Sequence, residues 1–244
     1  MVLGALAVTA ACGRDASASL ERQAIGRPEV TSTTTTPVAP TTTMTTPTTL
    51  PPVSTSTTRP HPARTVTEQA WVPYATVGPV TLMHPSDRVE AIGFHQSGHD
   101  GALTQSAVPS AARWFLQEDR DRDTTQYGAA DIVVEPDREV RVVVTGTVIR
   151  AGTYTLYCDY VDQYAVVEPD AHPGWEVKML HIEGLSVTKG QHVEAGVTRL
   201  AARSRVLPFP STVNDDTALP AWPHVHVEVV DPSVPDRPTG PGCP

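Results

Sequence analysis

The chain has 244 residues, 24 of them proline and only 3 phenylalanine, with a formal net charge of −9. That balance argues against a nucleic-acid partner, because phosphate binding needs clustered Lys and Arg. No apolar run approaches the roughly 20 residues needed to span a bilayer, and a Thr/Pro-rich tract limits the foldable part to about one domain.

The chain opens on "MVLGALAVTAACGRD", a short run of small apolar residues ending at Cys12. It resembles a signal peptide with a bacterial lipobox over residues 1–12, in which Cys12 would carry a lipid. The expectation is an exported protein, anchored to a membrane and facing the cell wall, or else secreted. Thr9 stands where lipoboxes usually carry Leu, and no Lys or Arg precedes the run, which implies a start upstream. With Cys12 lipidated, Cys158 and Cys243 remain. Two such cysteines in an exported protein are often bridged, although two separate thiols also fit.

Residues 13–68 read as a disordered Thr/Pro-rich linker, nearly uncharged and without hydrophobic period. Its prolines favour extended polyproline II, so about 50 residues would reach on the order of 150 Å. Residues 69–124 read as an N-terminal extension packed on the core. Within it "VGPVTLMHPSDRVEAIGFHQS" predicts two strands around the turn "HPSD", and "PSAARWFLQED" predicts a short helix or a loop. From residue 125 to 244 the text is strand after strand: "ADIVVEP", "VRVVVTGTVIRAG", "TYTLYCDYVDQYAVVEPD", "WEVKMLHIEG", "VTRLAARSRVLP" and "HVHVEVVDP". Alternating valines bounded by Gly, Pro and Asp are half-buried strands. The fold class is all-β, barrel-like or sandwich-like.

Four of these segments, in order, resemble the lysostaphin-type, LytM-like zinc endopeptidases: "AADIVVEPDREVRVVVTGTVIRAG", "YAVVEPD", "HIEGLSVTKGQHVEAG" and "WPHVHVEVVDP". The match covers roughly residues 125–232. The resemblance implies the duplicated-hybrid-motif, barrel-sandwich-like β domain of that family, and hydrolysis of peptide cross-links in peptidoglycan. It also implies a zinc with three protein ligands and a fourth position for water. Residue by residue, Asp131 and His226 match metal ligands, and His181 and His224 match the two assisting histidines. His224 and His226 are two apart on a strand, so they share a face.

The first ligand of the family pattern is a His four residues before the Asp. Tyr127 stands there, and Ala129 replaces a Gly. A phenol that titrates near 10 is a poor ligand, so the expectation is a weak zinc site. His84, His95 and His99 lie upstream as candidate replacements, although "GFHQSGHDG" reads as a solvent-facing loop. Trp222 replaces the Gly before Pro-His and would narrow the groove. The expected function is therefore a degenerate, envelope-anchored LytM-like domain that binds peptidoglycan peptides or regulates a cell-wall hydrolase. The alternative is an active zinc endopeptidase with a relocated third ligand. A lipoyl carrier or transport adaptor fits less well, because Lys189 lacks the acidic and Met flanks of a carrier lysine and no coiled-coil heptads are present.

Overall fold

The computed structural model describes residues 60–68 and 71–238. Cys12, Cys243 and most of the linker lie outside them. The all-β expectation is met: the described residues form fourteen strands, and the 3-10 turn Thr212–Asp216 is their one named helical segment. In chain order the strands are β1 (Thr67–Glu68), β2 (Pro73–Val77), β3 (Val80–Met83), β4 (Arg88–His95), β5 (Ser106–Ala107), β6 (Trp114–Leu116) and β7 (Ala129–Val134). Then follow β8 (Val140–Arg141), β9 (Gly146–Leu156), β10 (Tyr160–Pro169), β11 (Glu176–Leu185), β12 (His192–Val193), β13 (Arg199–Ser204) and β14 (His224–Val230).

The main sheet has eleven strands in the order β1-β4-β7-β14-β11-β10-β9-β12, with β6 on β4 and with β13 joining β11 to β8. Strands β3, β2 and β5 form a second, three-stranded sheet. The sheets are antiparallel apart from the β4–β6 pair, and they do not close into a barrel.

Two expectations about the N-terminal half change. Residues 69–124 do not simply pack on the core, because β4 is a strand of the main sheet itself and pairs with β7 from Val89 to His95. "PSAARWFLQED" contains a strand, β6, held parallel to β4 at Trp114–Leu116. The end of the linker is also tied down. Thr67 and Glu68 pair with β4, and Arg64 Nε meets the buried Glu90 carboxylate at 2.7 Å.

The core lies under one face of the main sheet. Ile92 and Phe94 of β4, Ala130, Ile132 and Val134 of β7, and Val225, Val227 and Val229 of β14 all turn into it. Each buried Val or Ile of this kind contributes roughly 1.5–3 kcal/mol of hydrophobic stabilisation. With the alternate residues locked to that face, the intervening ones must share the other face.

Candidate metal centre

Cross-strand partners share a face. His226 lies opposite Asp131 on β7 and opposite Leu180 on β11, while Asp131 lies opposite Gly93 on β4. Counting by twos places His224, His226 and Glu228, then Asp131, then Gly93 and His95, then Lys178 and Leu180 on one face. The "HVH" strand is thus not a sheet edge. It is the middle of the sheet, buried on both sides.

His181 departs from the alternation. Its backbone is left-handed, with φ 61°, where the register between β10 and β11 shifts at Gln163/Tyr164. A bulge of this kind re-aims a side chain. The His181 ring stands edge-on to His224 at 5.0 Å between centroids and 5.9 Å from His226. Its Nδ1 donates to Asp162 Oδ2 at 2.6 Å, and the Tyr154 hydroxyl donates to the same oxygen at 2.8 Å. Burial pushes the Asp162 carboxyl up, but these hydrogen bonds outweigh burial and hold it below the usual range.

The centre of the face is Asp131 Oδ1. His226 Nδ1 lies 2.8 Å from it, His95 Nε2 3.3 Å and His224 Nε2 3.8 Å. His95, Asp131 and His226 offer one ligand atom each, all within 4.8 Å of one another, so this buried cluster could hold a metal ion. His95 was expected in a solvent-facing loop, as was His99, yet both are 1 % exposed.

The protonation pattern fits a cation. His95 Nδ1 lies 2.8 Å from the Gln96 carbonyl, which can only accept, so Nδ1 carries the proton. Burial holds the His95 ring below its usual pKa and therefore neutral. Nε2 is then a bare lone pair, buried and without a hydrogen-bond partner, facing a carboxylate oxygen. Two acceptors set against each other repel unless a cation lies between them. Burial likewise pushes His224 down to about 3, so that ring is neutral. Burial opposes charge on His226 too, but Asp131 and Glu228 outweigh it and raise that ring to about 9 in the metal-free protein. Burial pushes Asp131 up as well, and the surrounding imidazoles reverse this and leave it well below the usual carboxylate range.

Neighbouring side chains hold Asp131 and the histidine strands in place. Gln117 Nε2 donates to Asp131 Oδ2 at 2.9 Å and to the Gly93 carbonyl at 3.0 Å. A Cβ at Gly93 would come within 2.7 Å of that amide nitrogen, so the glycine makes room for the contact. Ser204 Oγ lies 2.7 Å from the His224 carbonyl and 3.1 Å from that of His181, joining the two strands.

The sequence-predicted residues Asp131, His181, His224 and His226 therefore come together. Tyr127 does not join them. It packs against Phe94 and Trp114 on the opposite side of β4, with centroids at 5.4 and 6.3 Å. The imidazole that joins Asp131 and His226 is instead His95, from the neighbouring strand β4. His84 lies apart, its ring on the Val72 carbonyl and the Ala112 amide. Trp222 stacks under the Arg64 guanidinium, 4.2 Å from its ring centre. Gln117, Tyr154 and Asp162 were not singled out in the sequence, and no spacing marks them. Cys158 is disulfide-bonded, and the two other cysteines both lie outside the described residues. No family model and no curated protein matches the chain.

Proposed function

We propose that the protein is a zinc-dependent endopeptidase acting on peptidoglycan peptides, exported and held at the envelope by a lipid on Cys12. The observation that carries the reading is the bare Nε2 of His95, facing Asp131 beside His226 Nδ1. Two imidazoles and one carboxylate are a donor set of catalytic zinc. The degenerate reading expected from the sequence rests on Tyr127 and Trp222; a ligand from His95 would supply the imidazole that Tyr127 lacks. A LytM-like identity rests on the four sequence segments, with the clustering of Asp131, His181, His224 and His226 as its geometric support.

Zinc bound there would supply Lewis-acid activation of water and of a scissile carbonyl. The remaining chemistry falls to the chain. His95, Asp131 and His226 hold the ion, with Gln117 orienting Asp131. His224, kept neutral by burial, accepts the proton of the attacking water at Nε2, the nitrogen that faces the centre. His224 then returns that proton to the leaving amine, while the Asp162 carboxylate accepts from His181 Nδ1 and so favours a ring that also carries a proton at Nε2, whose N–H would steady charge on the carbonyl oxygen. Tyr154 fixes Asp162 in turn. Leu180, Tyr160, Tyr164, Leu207 and Phe209 pack together beside the centre and shield that side from water.

The test is elemental analysis of the protein purified without chelator, followed by digestion of cross-linked peptides released from peptidoglycan. One zinc per chain and cleavage of the cross-link are expected. A protein that takes up no zinc, or that holds iron instead, overturns the reading. So does a zinc-loaded protein that leaves every cross-link intact.

A further inference from the structure

We propose that Arg120 is a specificity-determining residue that recognises a free carboxylate of the substrate close to the scissile bond. This rests on the hydrolase reading above and names its substrate class: peptides with an ionised carboxyl group rather than an amidated one.

The chain leaves the metal face after His95 and returns to it only at Asp131. Between them it brings Gln117 and Arg120 back to the site. The Gln117 amide works from both ends. Its nitrogen donates to Asp131 Oδ2, and its oxygen accepts from Arg120 Nη2 at 2.7 Å. That Nη2 stands 3.7 Å from Asp131 Oδ2, close to the metal-binding carboxylate but outside hydrogen-bond range. Oδ2 is the oxygen turned away from the imidazoles, so Arg120 lies beside the proposed ion without competing for it.

The guanidinium is held in place but not used up. Its side chain is 22 % exposed, and its Nε is buried without a hydrogen-bond partner. A second cation stands beside it. Arg122 donates to the Gln96 carbonyl at 3.1 Å, and burial together with the charge of Arg120 lowers its pKa. The Tyr157 phenol, 37 % exposed, is close enough to feel both guanidiniums. Of the four acids of the same loop, Asp119 is engaged with Gln126 and Asp123 with Arg237, while Glu118 and Asp121 are exposed. Two adjacent guanidiniums at the rim of a metal centre favour an incoming anion. A carboxylate matches the planar fork of Arg in a bidentate way that an amide cannot.

The loop is also set in advance. Gln96 Oε1 accepts from the Arg120 amide at 2.8 Å and from the Arg122 amide at 3.3 Å. Arg237 donates to the Arg122 carbonyl at 2.6 Å. Ordering cost on binding is therefore small.

The experiment compares cleavage of cross-linked peptides as free acids, with the C-terminal carboxyl alone amidated, and with a side-chain carboxyl alone amidated. Wild type, Arg120→Met and Arg120→Lys are assayed with zinc loaded, and zinc content confirms that the centre is intact. Wild type should prefer the free acid by about tenfold to a hundredfold in kcat/KM, the scale of a charge-assisted contact. Arg120→Met should bring the ratio close to one, and Arg120→Lys should keep part of it. The amidation that abolishes the preference identifies which carboxyl is read. Equal cleavage of acid and amide by wild type overturns the proposal. So does a preference that survives Arg120→Met, since the metal or another cation would then be the reader. If zinc-loaded wild type cleaves no form, the hydrolase reading falls and calorimetric binding decides Arg120 alone. Tighter binding of the acid that is lost in Arg120→Met then supports it, and equal or absent binding overturns it.

Discussion

Two clusters of histidine and carboxylate share the buried face of the sheet, one residue pair apart on β14. Around Asp131, His95 and His226 converge on one oxygen, and His95 Nε2 has no hydrogen-bond partner. Around Glu228, the same residue types are tied together. Lys178 Nζ lies 2.8 Å from His99 Nε2 and 3.6 Å from Glu228, His99 Nδ1 meets Asp236 at 3.1 Å, and Ser97 donates to Glu228 at 2.6 Å. Glu228 Oε1 also lacks a hydrogen bond and faces His99 Nε2 at 3.3 Å, so the difference lies in where positive charge is placed. Lys178 brings its own positive charge beside Glu228 Oε1, whereas Arg120 stands only at the outer oxygen of Asp131, Oδ2, and leaves Oδ1 facing the imidazoles once His226 gives up its proton. Ligand-type residues in a group do not by themselves argue for a metal; lone pairs that converge with no cation between them do.

The sharpest way to break this contrast is at His95. His95→Ala should abolish hydrolysis and weaken zinc by more than the roughly 10–100-fold typical of an outer-shell change, read by titration against a competing chelator. Tyr127→His should leave zinc affinity unchanged, because residue 127 packs on the Phe94 side of β4. Strong zinc binding in His95→Ala would make His95 a bystander. Two zinc ions per wild-type chain would erase the distinction between the clusters.

Asp162→Asn tests the helpers separately from the metal. With the carboxylate gone, His181 loses its fixed tautomer, and kcat should fall by about 10²-fold or more. Zinc content should stay at the wild-type value. A parallel loss of zinc would mean that Asp162 supports the fold of the centre rather than His181.

The second cluster should answer in stability. Lys178→Met leaves the Glu228 carboxylate buried without its ammonium and should cost about 3–5 kcal/mol, measured by urea denaturation. Burial lowers Lys178; burial would raise Glu228, but His99 and Lys178 outweigh it and hold that carboxyl well below its usual range. A change under about 1 kcal/mol would show that the pair adds nothing net.

The smallest effect is a proton count. His226 titrates at about 9 in the metal-free protein, above its usual 6.5, so it is protonated at pH 7.5 and must lose that proton to ligate. Zinc binding at pH 7.5 should release about one proton, seen as a dependence of the calorimetric heat on the buffer's ionisation enthalpy. Release should vanish well above pH 9. An unperturbed His226 would release only about a tenth of a proton at pH 7.5.

What the sequence determined by itself is what period and local chemistry encode. Alternating valines in "HVHVEVV" settle the strand and put both histidines and Glu228 on one face, because side chains repeat every two residues. The same alternation in "ADIVV" aims Asp131. The tertiary structure alone decided the rest. His95 and Asp131 are far apart in the chain, and only the pairing of Gly93 with Asp131 brings β4 to the site. The parity of β4 then sends His95 to the face of Asp131 and Phe94, with Tyr127, into the core. No local pattern announces the bulge that turns His181, the Asp162 partner that holds it, or the return of Gln117 and Arg120. Each depends on which strands neighbour one another, and that is settled by how a whole sheet buries its apolar face, not by any short stretch of residues.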